Sequence, residues 1–195
     1  MLSLLSAKWV VHAQTPNAKP RKTAYNQHKL QNYNYMETKK ITRILFVCLG
    51  NICRSPAAEA MFRCITDREG LSEHVFIDSA GTYGGHSGEL SDSRMRRAAA
   101  ARGIEMTHRA RQVREGDFEK FDMVIAMDDN NYENLFRLAP DLEAQQKIYR
   151  FREFLRHNPD WSYIPDPYYE GHEGFELVLD LLEDGCTTLV EMIRE

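Results

Sequence analysis

From residue 41 onward, apolar runs of strand length alternate with segments of helical period, and few architectures accommodate that rhythm. Residues 41–48 (ITRILFVC), 75–79, 121–127 and 147–151 have the length and the β-branched and aromatic content of strands buried on both faces. Residues 56–69, 92–102, 129–138 and 174–193 read as helices, the second stopped by Gly103. Strands separated by helices imply right-handed crossover units and a parallel sheet covered on both faces. The expected fold is therefore α/β: a single three-layer domain with a central four-stranded parallel sheet and helices on both faces. A chain of 195 residues suits one domain with a substantial core, and it shows neither an internal repeat nor a second domain.

Composition removes several function classes. A formal charge of -4 argues against a dedicated nucleic-acid binder. No apolar run approaches the roughly 20 residues that cross a bilayer, so no membrane-spanning helix is expected. The four cysteines, Cys48, Cys53, Cys64 and Cys186, form no pair of CxxC units, which argues against a structural zinc site. No metal and no cofactor are expected. The first 40 residues read as a disordered extension, polar and rich in Asn, Gln and Lys from Gln14 on. The apolar part of residues 1–13 is interrupted by Lys8 and lacks a preceding basic region, so an export signal is not expected and a cytoplasmic location is.

The chemistry concentrates where the first strand hands over to the first helix, in Cys48-Leu49-Gly50-Asn51-Ile52-Cys53-Arg54-Ser55-Pro56. Ligands of parallel α/β sheets bind at the carboxyl ends of the strands, and helix N-termini offer unpaired N–H groups to anions. Pro56 suits a first helical position, and Gly50 is expected to permit a tight curl of amides around an oxyanion. A cysteine there is driven toward the thiolate by amides, helix dipole and a nearby guanidinium, which makes Cys48 a candidate nucleophile. Arg54 can grip two phosphate oxygens with its planar fork. Taken alone, Cys-x5-Arg is a weak signal, and a buried Cys48 closing a core strand beside a surface Arg54 is the plain alternative. Cys53 lies close enough for a disulfide to Cys48 that would block activity reversibly, the alternative being a small packed residue.

The complete run CLGNICRSP resembles the signature loop of low-molecular-weight protein tyrosine phosphatases, and the resemblance extends from about Ile41 to the C-terminus. Four further segments agree in order: Asp78-Ser79-Ala80-Gly81-Thr82, Met106-Thr107-His108, Phe121-Asp122 through Met127-Asp128, and Asp166-Pro167-Tyr168-Tyr169. The resemblance implies hydrolysis of phosphotyrosine through a phosphocysteine, with a phosphate-binding loop after the first strand. It makes Cys48 the nucleophile, Arg54 the phosphate clamp and Asp166 the general acid and base. Leu49, Gly50, Asn51, Ile52, Cys53 and Ser55 would surround the phosphate, and Tyr168 would wall a slot for a phenyl ring. Asn51, Ser79 and His108 would hold the loop, and Asp128 would have a structural or supporting role. Phosphotyrosine-containing proteins are the implied partners, a bacterial tyrosine kinase among the candidates.

One departure stands out. Many bacterial relatives carry a large aromatic in the loop after the second strand, whereas here Tyr83-Gly84-Gly85-His86-Ser87-Gly88 has Gly85 at that place. Tyr83 or His86 would have to compensate. Three other functions compete with this reading. A thioredoxin-coupled arsenate reductase needs a close pair of further cysteines, which Cys64 and Cys186 do not form. A protein-arginine phosphatase has threonine where Ile52 stands. A catalytically dead phosphate-binding module is at odds with the presence of Cys48, Arg54 and Asp166 together.

Overall fold

A computed structural model describes residues 41–194 of the chain. The expectations of a disordered extension and of no export signal fall on residues outside this range. Four strands, β1 (Thr42–Cys48), β2 (Val75–Gly81), β3 (Met123–Ala126) and β4 (Ile148–Arg150), form one parallel sheet in the order β2-β1-β3-β4. The helices are α1 (Arg54–Arg68), α2 (Ser93–Ala101), α3 (Asp117–Lys120), α4 (Asp129–Leu138), α5 (Leu142–Gln146) and α6 (His172–Arg194). All four expected strands are present, with β2 two residues longer than expected and β3 shorter at both ends. The short helices α3 and α5 were not expected, because four and five residues are too few to display a helical period.

Alternation along β1 sorts the core into two layers. Ile44 and Phe46 face a cluster built with Phe62 of α1, Met95 of α2 and Phe175, Leu179 and Leu182 of α6. Leu45 and Val47 point the other way, onto Phe118, Phe121, Leu135 and Ala144 around α3, α4 and α5. The strand is thus apolar at every position from 44 to 47, as a strand covered on both faces must be. Phe46 meets Phe62 edge-on at 5.9 Å and Phe151 at 6.1 Å, so truncating it to alanine would cost about 3–5 kcal/mol.

This topology decides where a ligand can sit. From β1 the chain crosses to β2 on one side, and β3 then returns to pair with β1 on the other. Connections that leave in opposite directions open a crevice at the carboxyl end of β1, and the segment from Cys48 to Cys53 lies there.

Candidate active site

The 48–53 loop turns its carbonyls outward. The oxygens of Cys48, Leu49 and Ile52 accept from the N–H groups of Thr82, Tyr83 and Asp92, at 2.9, 2.9 and 2.8 Å. The amides of Leu49, Gly50, Ile52 and Cys53 have no hydrogen-bond acceptor among the described residues. Amides left free on the inside of a curl at a helix N-terminus make an anion cradle. The tight path does not rest on Gly50, as the sequence suggested; the left-handed residue is Asn51, with φ 56°. Asparagine tolerates that region better than most side chains do. Close packing beneath the loop comes instead from Gly81, where a Cβ would stand 2.6 Å from the Leu49 carbonyl oxygen and 3.0 Å from the Asn51 nitrogen.

Asn51 is fully buried and is the hub that keeps the curl in place. Its Nδ2 donates to Ser55 Oγ at 2.9 Å and Ser79 Oγ at 3.0 Å. Its Oδ1 accepts from the Arg111 N–H at 2.9 Å and faces His108 Nε2 at 3.0 Å. Ser79 in turn donates to Glu59 Oε2 at 2.8 Å, and that same oxygen lies 3.0 Å from His108 Nδ1. Both nitrogens of His108 therefore face oxygens, Asn51 Oδ1 on one side and Glu59 Oε2 on the other. Burial by itself would raise the Glu59 carboxyl, but hydrogen bonds and charge from His108, with bonds from Ser79 and Arg63, outweigh it and hold Glu59 below its ordinary value.

The Cys48 sulfur receives the Asn51 N–H at 3.3 Å and lies 3.1 Å from Ser55 Oγ. The Ser55 hydroxyl is equally close to the Ala80 carbonyl, so its single proton serves one acceptor at a time. Arg54, the first residue of α1, is buried between two carboxylates. Its Nη1 donates to Asp128 Oδ2 at 2.6 Å and to the Ile164 carbonyl at 3.2 Å, and its Nη2 to Asp166 Oδ2 at 2.9 Å. Burial disfavours the guanidinium charge, and Cys48, Asp166 and Asp128 around it more than restore it. Asp128 also N-caps α4 by accepting from the Asn131 N–H at 2.7 Å, which fixes the carboxylate that fixes the arginine. Asp166 has a comparable double use: Oδ1 accepts from the Tyr168 N–H in the turn that follows, and Oδ2 reaches Arg54.

These groups open into one cleft of about 260 Å³, lined by Cys48, Leu49, Gly50, Ile52, Cys53, Arg54 and Asp166, with Tyr83, His86, Tyr168 and Tyr169 at its walls. Asn51, Ser55, Ser79 and His108 lie beneath it rather than in it. Tyr83 stands in the space that the absent side chain of Gly85 leaves, since a Cβ on Gly85 would come within 2.2 Å of its ring. The aromatic wall therefore comes from Tyr83, with His86 edge-on to it at 6.3 Å. Cys53 is a buried free thiol, pushed far up by burial, with the Asp92, Cys48 and Asp166 charges adding to the effect. The sequence reading missed Glu59, although Ser55, Glu59 and Phe62 share one helical face and a lone acid on that buried stripe was a usable signal. It also missed Arg111, for which no local signal exists.

Fold and cleft define a class: a parallel α/β domain that offers a cradle of free amides, a cysteine, an arginine and an aspartate at its topological switch point. The family described as low molecular weight phosphotyrosine protein phosphatase matches residues 43–195. A low molecular weight protein-tyrosine-phosphatase of Streptomyces coelicolor is 41% identical over 155 residues, covering 78% of this chain and 94% of the relative. The crystal structure of a protein tyrosine phosphatase from Entamoeba histolytica with Hepes in its active site aligns with a TM-score of 0.76 at 42% identity, covering 78% of this chain and 97% of that one. A Drosophila arginine phosphatase structure also aligns, with a TM-score of 0.72 at 28% identity over 78% of this chain and 98% of its own. The chain belongs to the low molecular weight phosphotyrosine protein phosphatase family and is an enzyme of the protein-tyrosine-phosphatase class. No helix among the described residues is long and apolar enough to cross a membrane.

Proposed function

We propose that this enzyme hydrolyses phosphotyrosine in proteins by double displacement at phosphorus, with Cys48 as nucleophile, Arg54 as phosphate clamp and Asp166 as proton donor and acceptor. The observation that carries the reading is the convergence of the Cys48 sulfur, the Arg54 guanidinium and the Asp166 carboxyl on one aromatic-walled cleft. The phosphoryl group sits in the curl of the 48–53 loop, its oxygens on the free amides and the Arg54 fork. The Cys48–phosphorus bond forms as the phosphorus–phenol oxygen bond breaks, and the Asp166 carboxyl gives its proton to the departing oxygen. Water then attacks phosphorus, passes a proton to the Asp166 carboxylate, and displaces the sulfur as inorganic phosphate forms.

Anchoring of Arg54 by Asp128 leaves its Nη2 face, now on Asp166, as the part that a phosphate would engage. Phosphate arrival would thereby free Asp166 to face the leaving oxygen. Ile52 in the cleft, with Tyr83 and Tyr168 as walls, favours a flat aryl ester over the polar phosphoguanidinium of phosphoarginine. Cys186 is fully buried and Cys64 sits mid-helix on α1, so neither is placed to relay a disulfide as arsenate reduction requires.

The test is hydrolysis of para-nitrophenyl phosphate and of a phosphotyrosine peptide across the mildly acidic to neutral range, with Cys48→Ser and Asp166→Asn beside the wild type. Cys48→Ser should abolish turnover while retaining phosphate binding, and Asp166→Asn should lower kcat by about 10²–10⁴-fold. Full activity in Cys48→Ser would sink the mechanism. A wild type faster on phosphoarginine than on phosphotyrosine would transfer the substrate assignment.

A further inference from the structure

Beside the phosphate cleft lies a second cavity, a groove of about 520 Å³ between α2 and the start of α6, with a predominantly apolar lining. Ala98, Ala101 and Phe175 supply the apolar surface, and Arg94, Arg97 and Glu170 stand among the charged residues around it.

Arg94 joins the groove to the cleft. Its guanidinium lies 5.2 Å from the centre of the Tyr168 ring, which walls the phosphate cleft, and 4.9 Å from that of Phe175, which lines the groove. A fork of hydrogen bonds to Asp92, at 3.0 and 2.8 Å, holds it there. Asp92 in turn N-caps α2, and its own N–H donates to the Ile52 carbonyl of the phosphate loop. The wall between groove and cleft is thus built on the same residues that position the loop.

Charge in the groove is nearly balanced. Arg94 is paired with Asp92, and Glu176 with Arg102 at 3.1 Å. Arg97 and Glu170, one of each sign, have no ionic partner among the described residues. Charge therefore selects weakly, and the apolar floor is the feature that discriminates between occupants.

We propose that this groove is a second substrate subsite, which takes an aliphatic or aromatic side chain from the stretch of substrate protein flanking the phosphotyrosine. The proposal rests on the phosphotyrosine reading above. One way out for a peptide whose phosphotyrosine fills the cleft crosses the rim at Tyr168 and Tyr169, and Tyr169 is 93% exposed there. Beyond Tyr168 and Arg94 the surface falls into the groove, so a flanking apolar side chain finds a preformed apolar site within one short stretch of chain.

The experiment uses a series of phosphotyrosine peptides in which one leucine is moved through a Gly/Ser background on either side of the phosphotyrosine. The wild type should show a kcat/KM preference of about tenfold or more for the leucine position that reaches the groove. Ala101→Trp, and Ala101→Met as a milder filling variant should the first not fold, should erase that preference. Both should leave kcat/KM for para-nitrophenyl phosphate unchanged, because that substrate has nothing to place in the groove. A wild type indifferent to leucine position, or a filled groove that keeps the preference, would overturn the proposal. Peptide affinities of Cys48→Ser give the same comparison without turnover, so failure of the phosphatase reading, seen as no hydrolysis of para-nitrophenyl phosphate, is distinguishable from failure of the subsite.

Discussion

Asn51 offers the sharpest test of how the phosphate loop is held. Replacing it with alanine removes four hydrogen bonds, two donated by Nδ2 to Ser55 and Ser79 and two accepted by Oδ1 from His108 and Arg111. At a net value near 1 kcal/mol each, their loss amounts to about 4 kcal/mol. The backbone adds a second effect. With φ at 56°, alanine suffers a left-handed penalty of about 1 kcal/mol that glycine escapes. Asn51→Ala should therefore be destabilised by about 5 kcal/mol and Asn51→Gly by about 4 kcal/mol, a large part of a typical total of 5–15 kcal/mol.

Urea unfolding in the cold measures both, with a slope of about 2 kcal/mol/M placing the alanine midpoint some 2–3 M below wild type and the glycine midpoint between the two. Turnover of para-nitrophenyl phosphate by the folded fraction should fall by about 10²-fold in each, since a loop displaced by an ångström misaligns sulfur and phosphorus. If both variants unfolded within about 1 kcal/mol of wild type, the network would not be what restrains the loop. If alanine matched or exceeded glycine, the left-handed backbone would carry no strain and that half of the reasoning would fail.

Three other perturbations probe the surroundings. The folded Glu59 carboxyl titrates below its ordinary value of 4.5, so its stabilisation is complete above that value and is lost as pH falls through the lower folded one; Glu59→Gln should be less stable than wild type at neutral pH, with a gap in unfolding midpoint that closes in acid, whereas a constant gap would exclude the carboxylate charge as the cause. Gly81→Ala drives a Cβ into the Leu49 carbonyl and the Asn51 nitrogen, both backbone atoms that cannot yield cheaply; a stability loss of about 1–3 kcal/mol with a disproportionate fall in kcat is expected, and unchanged kinetics would show that the contact relaxes without moving the loop. Peroxide should convert the Cys48 sulfur to a sulfenic acid, from which the Cys53 sulfur displaces water to form a disulfide, whereas in Cys53→Ser a second peroxide carries the unprotected sulfenic acid to a sulfinic acid that dithiothreitol does not reduce; after excess peroxide, wild type should therefore recover activity with dithiothreitol and Cys53→Ser should not, and equal recovery would remove Cys53 from that role.

The parallel sheet was legible because each strand is buried on both faces and so appears as an unbroken apolar run, ILFV in β1 and MVIA in β3. Helix α2 was legible from its ends, with Asp92 accepting at the N-cap and Gly103 left-handed just beyond the C-terminus. Cys48 and Arg54 were legible because they and the curl between them occupy one uninterrupted stretch, whereas Asp166, 112 residues from Arg54, came only through the family resemblance. Of what surrounds them, Asn51, Ser79 and His108 came only through the family resemblance, and Glu59 and Arg111 did not come at all. The bonds from Asn51 to Ser79, His108 and Arg111 span 28, 57 and 60 residues, and no local pattern encodes pairings at such separations. Expecting Gly50 to be the permissive residue was a reasonable inference from residue type, and it failed because hydrogen bonds to a buried asparagine can stabilise the left-handed conformation as well as a missing Cβ can. Gly85 was identified as a departure, but only the fold shows that Tyr83 occupies the space it leaves.

Arg54 shows how local chemistry comes to depend on the whole domain. A guanidinium at the first turn of α1 could adopt many rotamers, and side-chain entropy would disperse it. Asp128, at the opposite lip of the crevice, holds Nη1 because it is itself locked as the cap of α4, and the Ile164 carbonyl holds the same nitrogen from a third segment. Ile164 is in turn fixed by donating its N–H to the Met127 carbonyl at 2.9 Å, at the end of β3. The fork is therefore oriented by β3, by α4 and by the loop that carries Asp166, before any phosphate arrives. Electrostatic groups fixed in advance need little reorganisation as charge moves in a transition state, which is where preorganisation is worth most. Loosening the Asp128 cap or the Ile164–Met127 bond would act on kcat as much as on binding, although neither touches the substrate.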